Sequence, residues 1–106
     1  MENLIFIALE AHHAPRNHHR RYEIAVGRDL LDEWSVTVRY GRVGGGCREE
    51  RFGGSDVQGL RQVVHERLKR RLSAERRLNC AYRVVAIRHE RGMDREWLPE
   101  QLLARF

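Results

Sequence analysis

Along residues 34–43, "WSVTVRYGRV", Trp34, Val36, Val38 and Tyr40 fall on one face of an extended chain, and Ser35, Thr37, Arg39 and Gly41 on the other. A period of two is the repeat of a β-strand with one buried side. The same alternation sets Tyr22, Ile24 and Val26 against Glu23 and Ala25 in "RYEIAVGR", residues 21–28. Residues 3–9, "NLIFIAL", are almost continuously apolar and suit a buried strand, and residues 82–89, "YRVVAIRH", read as a further one. Pro15 and Asn17 interrupt "EAHHAPRNHHR", which is expected to be a loop. "DLLDE" reads as a turn or short excursion.

Gly44, Gly45 and Gly46 have no side chain to bar a positive φ and mark a tight reversal, so "CREERF" returns as an antiparallel partner ending at Phe52. Ser55 and Gln58 then fit a capping box at a helix start. Leu60, Val64, Leu68 and Leu72 recur every four residues, widened by Val57 and Val63, which predicts an amphipathic helix to about Glu75. Asn79 is a plausible stop. After Gly92, "DREWLPEQLLARF" is expected to form a short helix beyond Pro99 that packs Trp97, Leu102, Leu103 or Phe106 back on the domain. The order strand, strand, hairpin, helix, strand predicts an α+β fold: a small antiparallel sheet with one long helix on a face and a short C-terminal helix.

With 106 residues the chain is one domain, divided here into residues 1–90 and a C-terminal extension, 91–106, packing on the same body. Its 42% hydrophobic and 33% charged residues suit a globular protein. No apolar run approaches the roughly 20 residues that span a bilayer, so no membrane partner is expected. "NLIFIAL" follows a glutamate and lacks a basic leader and a cleavage site, so a cytoplasmic location is expected, with Cys47 and Cys80 as free thiols. Charge changes the picture more. Between Arg61 and Arg77 lie seven basic residues and two acids, which accounts for the whole net charge of +5. Such clustering makes a field that an even scatter would not. A solvated helix face and a phosphate-binding surface both fit this run.

Catalytic signatures are missing from the sequence: there is no G-x-S-x-G, Walker A loop, H-E-x-x-H or G-x-G-x-x-G. No enzymatic activity, cofactor or small-molecule substrate is expected. His12, His13, His18 and His19 form an HH-x4-HH arrangement, but adjacent histidines point to opposite sides of an extended chain and no carboxylate or thiolate completes a set, so no metal site is expected.

"WSVTVRYGRVGGG", a charged return strand, a helix and "RLNCAYRVV" together resemble the WGR domain family over residues 3 to 88. Trp34-Ser35-Val36 matches its first element, and Tyr40-Gly41-Arg42-Val43-Gly44 the Trp-Gly-Arg signature with Tyr for Trp. Phe52 is the aromatic strand end. Arg77 and Ala81 stand where the family has Lys and Gly, and Tyr82 matches its closing Tyr. In DNA-damage-responsive poly(ADP-ribose) polymerases this domain contacts DNA at strand breaks and relays the contact to neighbouring domains; small bacterial proteins of little more than this domain are similar to the chain.

The resemblance implies a sequence-tolerant nucleic-acid-binding module, with DNA the expected partner. The candidate site is Arg39, Tyr40, Gly41 and Arg42 on the strand end and Lys69, Arg70, Arg76 and Arg77 on the basic helix. Tyr40 shares its face with Trp34, Val36 and Val38, which makes it a core candidate, while Gly41 and Gly44 free the strand end and favour exposure. The alternative is a protein-interaction module that docks or regulates a partner enzyme.

Overall fold

The computed structural model describes residues 2–28, 33–73, 82–89, 94–99 and 102. Five strands form one antiparallel sheet: β1 (Glu2–His13), β2 (His18–Arg28), β3 (Trp34–Arg42), β4 (Cys47–Gly54) and β5 (Arg83–His89). Their spatial order is β4-β3-β2-β1-β5, so β4 and β5 are the margins. Helix α1 (Val57–Leu72) covers one face, and a single-turn helix α2 (Asp94–Trp97) follows β5. The architecture is α+β, as the order of elements predicts.

Register decides which residues meet. Tyr22 lies opposite Tyr40, Ile24 opposite Val38 and Val26 opposite Val36, so the alternating apolar faces of β2 and β3 form one surface. Ile5, Ile7 and Leu9 of β1 extend it, and Leu60, Val64 and Leu68 of α1 pack down on it. Fully burying side chains of this size contributes about 1.5–3 kcal/mol each, which is what holds helix to sheet. Tyr82, Trp97, Leu98 and Leu102 join the same core.

Three boundaries differ from the sequence reading. Residues 10–13 and 18–20 are strand, not loop: His12 pairs with His19 and His13 with His18, and the reversal is only a 3-10 turn, Ala14–Arg16. Its polar side chains disguise this hairpin, yet the backbone ladder continues through them. Asp56, not Ser55, caps α1, its Oδ1 accepting from the Gly59 backbone N–H at 3.1 Å. A carboxylate at a helix N-terminus gains from the helix dipole as well as the hydrogen bond. The helix ends at Leu72, short of Glu75. Residues 29–32, 74–81, 90–93 and the segment after Pro99 other than Leu102 lie outside the described residues, and with them Asn79, Cys80, Gly92, all of "DLLDE" but Glu33, and most of the expected C-terminal helix.

The glycine reversal is present: Gly45 N–H donates to the Arg42 carbonyl at 3.0 Å and Gly44 takes φ 75°, where a side chain is disfavoured. Gly41 serves differently. A Cβ there would run into the Gly46 carbonyl oxygen and the Cys47 backbone, so the aromatic-Gly-Arg strand end needs glycine for β4 to lie this close.

Candidate functional site

Tyr40 falls on the helix-covered side because it keeps the even register of Val36 and Val38. It is half-buried and packs against the core, its ring stacked on that of Tyr22 with centroids 6.2 Å apart at 28°. Its hydroxyl donates to Glu50 Oε1 at 3.1 Å, and Glu50 Oε2 accepts from Arg67 of α1 at 2.7 Å. The Arg71 guanidinium lies 4.3 Å from the Tyr22 ring centroid, a cation on an aromatic face. Burial pushes the Tyr22 phenol above its ordinary pKa, against the pull of Arg71 and Arg67. The last turns of α1 therefore sit at the Tyr40 end of the sheet, as does the strand end carrying Gly41 and Arg42.

Cross-strand register gathers cations there. Arg20 lies opposite Arg42, and Arg48 opposite Tyr40. With Tyr40, Gly41, Gly46 and Cys47 these three arginines line an open cleft of about 550 Å³, with no carboxylate among its described lining residues. Arg42 is held in place: its Nη1 donates to the Asn17 carbonyl and its Nη2 to Asn17 Oδ1, both at 3.1 Å. Lys69 and Arg70 are exposed in the last turn of α1, where cations also complement the helix dipole.

Arg39 points to the other face of the sheet. It is paired with Glu49 at 3.2 Å, and Glu49 with Arg51 at 3.4 Å. On that face Arg21 bridges Glu23, at 2.7 Å, and Glu10. Arg39 lines a smaller hollow of about 180 Å³ together with Arg21, Glu23, Tyr40, Gly41, Arg42 and the glycine hairpin. Of the strand residues predicted for the site, the structure thus brings Tyr40, Gly41 and Arg42 to the cation-lined cleft and turns Arg39 toward carboxylates. Arg76 and Arg77 lie outside the described residues.

The four histidines split into two cross-strand pairs, one on each face. His12 and His19 meet at 2.8 Å through their Nδ1 atoms, and His12 Nε2 hydrogen-bonds Glu10 at 2.8 Å. That bond, followed by the one from Arg21, holds the Glu10 carboxyl below its ordinary pKa. His13 and His18 lie on the Arg20 side, and desolvation, then the charge of Arg20, lowers the His18 pKa. Among the described residues no three His, Cys, Asp or Glu side chains are grouped to hold a metal ion. No described helix is long and apolar enough to cross a membrane.

Sequence reasoning missed Arg20 and Arg48. The signal for Arg48 is its position just beyond the glycine reversal, which sets it beside Tyr40 once Gly41 is paired with Cys47; the signal for Arg20 is its even register two residues before Tyr22. Both depend on pairing, which charge counting ignores.

Among models of known families, that of the WGR domain matches residues 6–63, from β1 into α1 and over more than half of the chain. No curated protein and no solved structure matches the chain.

Proposed function

Because the chain belongs to the WGR domain family, we propose that it is a non-enzymatic module that binds nucleic acid, DNA in the first place, at the Tyr40 end of its sheet. The observation that carries the reading is the cleft that Arg20, Arg42 and Arg48 line beside Tyr40, with no carboxylate among its described lining residues. Three guanidinium groups at one strand end repel one another, and phosphate oxygens relieve that repulsion while matching the planar donor fork of arginine. Tyr40 offers the edge of a ring backed by Tyr22, against which a sugar or base can rest. Lys69 and Arg70 add positive potential from the adjoining helix end, which draws a polyanion in without reading its sequence.

Phosphate contacts of this kind release counterions, so affinity falls with salt, the log–log slope steepening by about 0.9 per phosphate neutralised. The test is fluorescence anisotropy with labelled duplex, nicked and single-stranded DNA over a salt series. Binding that weakens steeply as salt rises supports the reading. No binding to any of the three at about 50 mM salt, where phosphate-driven association is strong, overturns it.

A further inference from the structure

The Arg42 side chain is exposed, yet it is not loose. Two of its five N–H donors are spent on one residue, Asn17, through the backbone carbonyl and the side-chain Oδ1, both at 3.1 Å. Asn17 is the only described residue other than glycine with a positive φ, at φ 50°, ψ 40°. This left-handed conformation is disfavoured for most side chains and tolerated by asparagine. It ends the 3-10 turn, with the Asn17 N–H bonded to the Ala14 carbonyl at 2.9 Å. The Val43 N–H donates to the His19 carbonyl at 3.0 Å, so the end of β3 is fastened to the same hairpin by its backbone.

We infer that Asn17 is a positioning residue for the nucleic-acid site: it holds the Arg42 guanidinium beside Arg20 and leaves three of its N–H donors for a phosphate. The inference rests on the reading of the Tyr40 end as the binding surface and adds to it the turn that orients its central cation. An arginine fixed before binding has less rotamer freedom to lose when the ligand arrives, and that difference is what Asn17 contributes to affinity. The left-handed backbone is the local cost of presenting both acceptors to one guanidinium.

A double-mutant cycle on the full chain tests this, with a fluorescein-labelled nicked duplex DNA as probe. Asn17→Gly keeps the left-handed turn and the carbonyl acceptor and removes only Oδ1, so the fold is expected to survive, as an unchanged thermal melt would show. It should weaken binding about three- to tenfold, the scale set by freeing one long side chain. The salt slope should stay as in the wild type, because the charge is still present. Arg42→Ala should weaken binding and also flatten the slope by about 0.9, one phosphate contact. In the Arg42→Ala background, Asn17→Gly should then have no further effect. Equal weakening by Asn17→Gly in both backgrounds overturns the inference, since the role would then be structural; so does no weakening in the wild-type background. If Arg42→Ala itself binds like wild type, the assignment of the site to this strand end fails, and the positioning role with it.

Discussion

The two ends of β3 carry similar chemistry under different cover. At one end Trp34 meets Trp97 at 5.2 Å between ring centroids, and Arg61 lies over the Trp97 ring while pairing with Glu96 at 2.7 Å. At the other end Tyr40 stacks on Tyr22, and Arg71 lies over the Tyr22 ring. Aromatic pair and stacked guanidinium recur, on the same strand face. The difference is what lies beyond. α2 brings Trp97 and Leu98 to the first end and seals it into the core, whereas the second end opens into a cleft lined by arginines. An aromatic-arginine cluster is thus core packing where an apolar segment covers it and a candidate interface where it opens into a cleft lined by arginines.

The comparison breaks most visibly at the sealed end. Trp97→Ala removes a fully buried ring and should destabilise the fold by about 3–5 kcal/mol, read as a lower midpoint in urea unfolding. DNA affinity measured where the variant is still folded should stay near the wild-type value, because the cleft is at the other end. Tyr40→Ala should lower affinity by about 1–3 kcal/mol of lost stacking, with the salt slope unchanged, beside the stability lost with its half-buried ring. Tyr40→Phe keeps the ring and loses the hydrogen bond to Glu50, so titration should show wild-type DNA affinity and chemical unfolding a loss of about 1 kcal/mol.

His18 sharpens the contrast through pH. Its folded pKa is lowered below the ordinary 6.5, first by desolvation and then by Arg20, so the unfolded chain takes up the proton first as pH falls. Stability from this group is full above 6.5 and declines as pH drops toward the folded value. Urea unfolding should show that decline, and His18→Gln should flatten it. The smallest effect belongs to Arg39: facing Glu49 on the far side of the sheet, Arg39→Ala should leave DNA affinity within error in the same titration and cost at most about 1 kcal/mol of stability, as exposed ion pairs do.

Much of the fold is legible in the sequence because burial imposes period on apolar side chains. Trp34 to Tyr40 alternate so strictly that β3 and its buried face follow, and Leu60, Val64 and Leu68 mark the helix stripe. The β1–β2 hairpin escapes notice because His12, His13, His18 and His19 are polar on both faces, so backbone pairing continues where side-chain pattern has stopped. Ser55 and Asp56 both suit a helix cap, and one residue of phase decides between them. Tyr40 and Arg42 stand out through the aromatic-Gly-Arg motif. Arg20, Arg48 and Asn17 do not, since each enters only through a neighbour on another strand or across a turn.

One consequence concerns the sheet's margin. β4 is an outer strand, and four charged residues in succession, Arg48, Glu49, Glu50 and Arg51, occupy it. A second chain adding itself along that margin would strip water from charges on both faces at once, at a cost its backbone hydrogen bonds do not recover. The residues that set the cleft's potential and anchor Tyr40 therefore also disfavour the addition of another strand along β4.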